Sequence, residues 1–416
     1  MKLRNYQIEL SEKANQLLRK YKIAYLSMEV RTGKTLTSLN TAKLYGAENV
    51  LFLTKKKAMS SISGDYEKFG FTFNLTVWND ESIHKLTEKF DFIIHDEHHR
   101  FGAFPKPNKS AKLFKEKYSH LPMMFLSGTP FPESYSQVFH QFWVSKHSPF
   151  NNYTNFYKWA KEFVNVKLKY LGYAKVNDYS EANYDKIKPY INKYLLTFTQ
   201  KQAGFETVVN EYILYCNMLP ITYKLCDKLL TDLVIEGKND VILADTSVKL
   251  QSKLHQMYSG TVKFESGKSK VLDYSKAEYI RDKFKNKKIG IFYKFKEEYK
   301  ALKDIFKDNL TDDLEKFNTT NKNIALQIVS GREGVSLKNA DYLVYYNIDF
   351  SAVSYWQSRD RLTTMERKEN TIFWVFSRKG IEDKIYKSVQ NKKDYNLRIF
   401  KKDYGIKTPN KSNKRI

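Results

Sequence analysis

Two short apolar runs, each ending in a chemically loaded turn, constrain this chain more than any other feature. The first, Ile23 to Met28, leads into Glu29-Val30-Arg31-Thr32-Gly33-Lys34-Thr35; the second ends Phe92-Ile93-Ile94-His95 and leads into Asp96-Glu97-His98-His99. Val50-Leu51-Phe52-Leu53 and residues 123–126 are further runs of the same kind, and residues 36–45 carry helical spacing. Short, uninterrupted apolar strands separated by helical stretches predict a parallel sheet covered on both faces. In such a sheet the working loops lie beyond the carboxyl ends of the strands. Both loaded turns fall there.

The 416 residues suit two domains with an insert or tail, and a hydrophobic content of 42% is enough for real cores. Lys and Arg outnumber Asp and Glu 71 to 46, a formal charge of +25. That excess favours a polyanionic partner, nucleic acid above all, although AT-rich coding would inflate Lys, Asn, Tyr and Phe in the same way. Cys216 and Cys226 are the only cysteines, so a disulfide framework and a four-cysteine zinc site are both excluded. The opening residues show no apolar signal region and no run is long enough to span a bilayer, so a reducing cytoplasm and no membrane contact are expected.

Along the chain, residues 1–145 are expected to form one α/β lobe. Residues 146–240, rich in Tyr, Phe, Asn and Lys, are expected to be a mostly helical insert between domains. From about 241 to 390 the alternation resumes: residues 289–293, 324–329, 342–346 and 371–376 are strand candidates, and 254–258 and 273–284 helical. Residues 391–416, with Lys392, Lys393, Lys401, Lys402, Lys411, Lys414 and Arg415, are expected to be a basic tail, mobile or ordered on a polyanion. The fold class is therefore α/β, with two parallel-sheet domains and a helical insert.

A phosphate cradle needs inward backbone N–H groups at a helix N-terminus, a lysine for the outer phosphates, and a hydroxyl beside it for magnesium. Gly33, Lys34 and Thr35 supply these, with Arg31 and Thr32 in the same loop. The full pattern wants glycine five residues before Gly33, where Met28 stands. At the second turn Asp96 would hold magnesium through its water shell and Glu97 would orient or deprotonate the attacking water. A solvated acidic turn is the plain alternative. A zinc site from His95, His98 and His99 is a rival whose spacing does not match the helical zinc pattern.

Gly33-Lys34-Thr35, Asp96-Glu97-His98-His99 and Ser127-Gly128-Thr129-Pro130 stand in the order and context of superfamily 2 helicases and translocases, which this chain resembles. Ser330-Gly331-Arg332-Glu333-Gly334-Val335-Ser336-Leu337 is similar to the fifth motif of the Swi/Snf-like branch, Gln357-Ser358-Arg359-Asp360-Arg361 to the sixth, and Leu3-Arg4-Asn5-Tyr6-Gln7 to the adenine-reading segment. The likeness spans roughly residues 1–390 and its compact form most resembles helicase-like proteins of bacteriophages. It implies two RecA-like lobes, ATP and Mg2+ as cofactors, and an ATPase that moves along DNA in preference to RNA, with replication or repair proteins as partners. By the same resemblance, Gln7 would read adenine; Lys34, Thr35 and Gly334 would serve the nucleotide; Asp96 and Glu97 would do the hydrolytic work, with Thr35 and Asp96 on the metal. Ser127 and Thr129 would link nucleotide state to the nucleic-acid track, along which Lys55, Ser330, Arg332 and Gln357 would lie, and Arg361 would act as arginine finger.

The family's sixth motif has a second arginine three residues after the first, and Thr364 occupies that place; Arg359 or Arg367 is the candidate substitute. A weakly hydrolysing nucleic-acid-binding accessory protein and an RNA helicase are the alternative functions. Trp78, Trp143 and Trp356 suit base stacking or core packing, and Lys55-Lys56-Lys57 suits phosphate contact or a solvated run.

Overall fold

The computed structural model describes residues 2–171, 174–237, 240–331, 335–364, 366–391 and 393–406. The chain divides into two compact units, Met1–Phe205 and Glu206–Ile416. The first holds strands β1 (Ile23–Met28), β2 (Asn49–Thr54), β3 (Asn74–Asn79), β4 (Phe92–His95) and β5 (Met123–Ser127), the antiparallel hairpin β6 (Lys167–Leu171) and β7 (Ala174–Asp178), and β8 (Leu195–Phe198). Six of these make one sheet in the order β3-β2-β4-β5-β1-β8, every neighbouring pair parallel.

The unbroken apolar strands are explained by which face each residue meets. Ile23, Tyr25, Leu51, Leu53, Ile93, Met123 and Phe125 point to one core; Ala24, Leu26, Met28, Val50, Phe52, Ile94, Met124 and Leu126 point to the other. Helices α1 (Asn5–Tyr21), α2 (Lys34–Tyr45) and α3 (Met59–Phe69) bury Leu10, Ala14, Leu18, Leu39, Ala42 and Ile62 on the second face. Helices α4 (Lys109–Tyr118), α5 (Val138–Trp143), α6 (Phe156–Phe163) and α7 (Tyr184–Ile191) bury Phe114, Phe139, Phe142, Trp159 and Ile187 on the first. Period-two alternation between two apolar cores is what a doubly covered parallel sheet requires. Because β5 lies between β1 and β4, the turns after β1, β5, β4 and β2 follow one another along a single rim.

The second unit holds β9 (Val208–Cys216), the hairpins β10 (Val234–Glu236) with β11 (Val241–Leu243) and β12 (Thr261–Lys263) with β13 (Ser269–Val271), and then β14 (Ile289–Tyr293), β15 (Leu310–Thr311), β16 (Asn323–Gln327), β17 (Tyr342–Tyr345) and β18 (Glu369–Ser377). Its parallel sheet runs β15-β16-β14-β17-β18-β9. Phe292, Ile324, Leu343, Tyr345 and Trp374 face one core; Ile291, Ala325, Val344 and Val375 face the other. The fold is thus α/β with two six-stranded parallel sheets, in keeping with tandem RecA-like domains.

Three sequence expectations differ from what is seen. Residues 146–240 form no separate insert: their first part folds onto the first unit and their last part onto the second. The aromatic texture that suggested a bridge is core material, since Phe150, Phe156, Trp159 and Phe163 are at most 2% exposed. Its weak strands are structural too: β8 pairs with β1 and β9 pairs with β18 over nine residues. The strand expected over 324–329 stops at Gln327, where Ile328–Gly331 turns helical. The start of the basic tail is packed, with Tyr395 and Phe400 buried in the second unit's core and Leu397–Asp403 helical. Lys392 and residues 407–416 lie outside the described residues. Among the described residues no helix is long and apolar enough to cross a membrane.

Candidate functional site

The loop after β1 is built around two left-handed residues, Arg31 at φ 64° and Gly33 at φ 85°. At Gly33 glycine is required twice over. Its φ strains any other residue, and a Cβ there would lie 2.1 Å from Gln7 Nε2. Met28, where a glycine was expected, is still strand: it pairs with Phe198 and its side chain is fully buried. The turn therefore begins one residue later, and the missing glycine has no conformational job at that position. Thr32 Oγ1 donates to Glu29 O at 2.7 Å, while the Gln200 amides reach across from the end of β8, N–H to Glu29 Oε2 at 2.7 Å and Nε2 to Val30 O at 3.0 Å.

The first turn of α1 braces the same loop. Tyr6 OH donates to Thr32 O at 3.1 Å, and its ring stacks on Phe198 at 4.8 Å. Gln7 is 4% exposed; its Oε1 accepts from Arg4 N at 2.9 Å and its Nε2 donates to Gly33 O at 3.5 Å. In this geometry Gln7 is a loop brace, and the adenine-reading role stays with the resemblance.

Lys34 opens α2, and its ammonium donates to Met28 O at 2.8 Å and Glu29 O at 3.3 Å. Gly128, at the end of β5, lies against it: a Cβ there would be 3.6 Å from Lys34 Nζ. The acid pair is within electrostatic reach, because the Lys34 charge lowers both the Asp96 and the Glu97 carboxyl. Asp96 Oδ2 accepts from Thr54 Oγ1 at 3.0 Å, and Asp96 N donates to Leu53 O at 2.9 Å. Glu97 sits at φ 48°, a conformation that costs a side-chain-bearing residue roughly 1–2 kcal/mol. A single residue held there by flanking bonds marks a turn shaped for its side chain.

Burial raises the Asp96 carboxyl, the Glu97 charge adds to the effect, and Lys34 and Thr54 offset only part of it. Burial also works to raise Glu97, but the neighbouring His99, then Lys34 and Lys55, outweigh it and hold Glu97 below the ordinary carboxylate range. Adjacent residues thus sit on opposite sides of their usual value, so on acidification the pair takes its first proton at Asp96. His99 Nδ1 lies 3.0 Å from Ser127 Oγ and 3.2 Å from Glu97 Oε2, though not aligned to bond the latter, which is buried with an unused lone pair.

The remaining histidines turn inward. His95 Nδ1 and His98 Nδ1 are 2.6 Å apart, His98 Nε2 lies 2.8 Å from Gln141 O, and the His98 ring stacks on Phe125 at 3.6 Å. Burial pushes both below the usual imidazole value, so both are neutral at pH 7. His98 spends one nitrogen on His95 and the other on a carbonyl, and His95 Nε2 faces Asp80, which leaves the zinc rival no common ligand point. Among the described residues no group of three His, Cys, Asp or Glu is arranged to hold a metal. Magnesium does not need one, because it takes one or two carboxylates together with phosphate oxygens and water. Thr35 and Asp96 carry hard oxygens of the kind it takes, and Glu97 Oε2, buried without a hydrogen bond, belongs to the residue after Asp96.

In the second unit, Gln357 ends near the close of the helix Ala352–Arg359 and Arg361 in the 3-10 turn Asp360–Leu362. Arg361 is 8% exposed; Nε and Nη2 donate to Gln357 O at 3.1 and 3.0 Å, and Nη1 to Val335 O at 3.2 Å. It knits the fifth-motif and sixth-motif segments together. Both candidate substitutes for the arginine missing at Thr364 are structurally committed. Arg359 pairs with Glu211 and lies over the Tyr355 and Trp356 rings. Arg367 donates to the carbonyls of Lys338, Ala340, Asp341 and Glu369. Ser330 falls in the short helix Ile328–Gly331; Arg332 and Gly334 lie outside the described residues. Trp78 and Trp356 spend their indole N–H on Ser82 O and Val389 O, and the Lys115 ammonium sits 3.9 Å over Trp143.

Sequence reasoning missed Thr54, Gln200 and Glu211, and named Tyr6 only within the segment likened to the adenine reader. Thr54 carried a signal, since it follows the strand Val50–Leu53 as Asp96 follows its own; Gln200 carried none, because its partners are distant in sequence.

No family model matches the chain, and no curated protein matches it. Among solved structures it is similar to the Sulfolobus solfataricus SWI2/SNF2 ATPase core in complex with dsDNA, at 15% identity and a TM-score of 0.43, covering 98% of this chain and 94% of that one. A likeness of this degree assigns no residue a role.

Proposed function

We propose that this protein is a magnesium-dependent ATPase that moves along nucleic acid, DNA in preference to RNA. The observation that carries the reading is the convergence, on one rim of the first sheet, of the Lys34 loop, the Asp96–Glu97 turn and the Ser127–Thr129 loop, with Lys34 acting electrostatically on both acids. Lys34 and the α2 N-terminus would bind phosphate oxygens. Thr35 and Asp96 would hold the metal, which when bound screens phosphate charge and helps ionise water. Glu97, already held in its ionised form, would accept the proton of the attacking water. Arg361 as the group that stabilises phosphoryl charge rests on its motif alone. The formal charge of +25 supports a polyanionic track. Strand separation, replication or repair partners and a bacteriophage setting rest on the resemblance alone.

Phosphate release from ATP, measured with single-stranded DNA, duplex DNA and RNA beside a Lys34→Ala control, tests this. Turnover that rises with DNA and vanishes in the control supports it; no turnover under any polymer condition overturns it. The commitment of Arg359 and Arg367 to structural bonds favours a second reading, a slow nucleotide switch. A single burst of phosphate without sustained release would select that reading.

A further inference from the structure

Gln141 lies on α5, outside every motif, and is fully buried. Three of its polar groups each reach a different part of the candidate site. Side-chain Oε1 accepts from Tyr25 OH on β1 at 2.6 Å, Nε2 donates to Pro130 O in the Ser-Gly-Thr-Pro loop at 2.8 Å, and main-chain O meets His98 Nε2 at 2.8 Å. A carbonyl can only accept, so His98 carries its proton on Nε2 and its Nδ1 is bare; His95 must then donate through Nδ1. The far end of that chain, His95 Nε2, is buried and lies 3.9 Å from Asp80 Oδ2, beyond hydrogen-bond distance.

A second chain starts from the other side of the same turn. His99 Nδ1 reaches Ser127 Oγ at 3.0 Å, Ser127 Oγ also accepts from Thr129 N at 3.1 Å, and Ser127 acts on the phenol of Tyr25, whose hydroxyl donates to Gln141. His98 and His99 are successive residues, yet they lead by opposite routes to one side chain and its own carbonyl. The loop is closed.

We propose that Gln141 is a positioning residue that locks the Asp96–His99 turn and the Ser127–Pro130 loop into one rigid body, so that a movement of either loop is transmitted to the other. The proposal deepens the ATPase reading and rests on it for its kinetic arm. Without Gln141 the phosphate loop and the acids keep their own contacts, because Lys34, Thr54 and Gly33 do not bond to it. Nucleotide binding and basal chemistry should therefore survive while the response to the track is lost.

The test compares wild-type protein, Gln141→Leu and Tyr25→Phe in ATP turnover with and without duplex DNA, and in amide hydrogen exchange at Ser127 to Thr129. Gln141→Leu removes the Pro130 and Tyr25 arms; Tyr25→Phe removes one hydroxyl without changing shape and serves if the first variant does not fold. The expected result is a loss of DNA stimulation of about tenfold in Gln141→Leu and a smaller loss in Tyr25→Phe, with KM for ATP and basal kcat within about twofold. Exchange in the loop should quicken by about tenfold. A merely structural role would lower basal and stimulated rates in parallel, and that outcome, or folded variants that behave as wild type, overturns the proposal. If the wild type itself shows no turnover the ATPase reading fails, and unchanged loop exchange then decides against Gln141 independently.

Discussion

Replacing Glu211 by Gln gives the sharpest stability test, because one carboxylate on β9 serves four donors. It accepts from Tyr355 OH at 3.0 Å on both oxygens, Trp374 Nε1 at 2.8 Å and Tyr386 OH at 3.1 Å, and it pairs with the Arg359 guanidinium. An amide keeps one acceptor oxygen and turns an NH2 toward groups that are themselves donors, so at least one donor loses its partner and Arg359 loses its counter-charge. Breaking a buried pair from one side costs about 3–5 kcal/mol. The side chains of Arg359 and Glu211 are 14% and 12% exposed, so some rehydration brings the expectation down to about 3 kcal/mol. For a unit of the size of Glu206–Ile416, about 1 kcal/mol moves Tm by roughly 2–4 °C, which predicts a fall of about 6–12 °C. Circular-dichroism melts of Glu211→Gln, Arg359→Met and the double variant read this directly. The double variant should be less destabilised than the sum of the singles, since removing both charges leaves neither stranded. A drop below about 2 °C in Glu211→Gln, or strict additivity in the cycle, would refute the assignment of Glu211 as the anchor of the sixth-motif helix.

Three further outcomes follow from the same geometry. Gly33→Ala forces a left-handed alanine against Gln7 and should weaken ATP binding by about tenfold in a fluorescent-nucleotide titration; adding Gln7→Ala should return part of it, and no rescue would remove Gln7 as the brace. Glu97→Gln should bind ATP with near wild-type affinity yet lose turnover by about a hundredfold or more, and retained turnover would exclude Glu97 as the base. His140 titrates low, near 4, because burial outweighs its bond to Ala103 O. The unfolded chain therefore binds a proton that the folded one does not, so this stability is present above about pH 6.5 and drains as pH falls toward about 4, by about 1.4 kcal/mol per pH unit. Urea unfolding at a series of pH values should show the first unit weakening on acidification, and His140→Gln should flatten that slope.

The parts of the fold legible in the sequence were those written in short-range pattern. The runs at β1, β2, β4 and β5 announced a doubly covered parallel sheet because their neighbours alternate between two apolar cores. β3, with Asn74 and Asn79 at its ends, and β8, only four residues long, were not legible, since each leans on a neighbouring strand for its pairing. The aromatic segment 150–163 shows the same limit: sequence reveals that it is apolar, and only tertiary packing reveals which core it fills. Lys34, Asp96, Glu97 and Ser127 were legible from motif and strand-end position alike. Gln141 and Glu211 were not, because a buried polar residue has no distinguishing spacing and is defined by the partners that converge on it.

The central claim is that the Lys34 loop and the Asp96–Glu97 turn form one site for a magnesium-bound triphosphate. Calorimetric titration of ATP, with and without Mg2+, into wild-type protein, Lys34→Ala and Asp96→Asn tests it most directly. The account predicts that Asp96→Asn weakens Mg·ATP binding by about tenfold while leaving metal-free ATP unaffected, and that Lys34→Ala weakens both. Equal affinities for Mg·ATP in wild type and Asp96→Asn, or undiminished binding in Lys34→Ala, would contradict it.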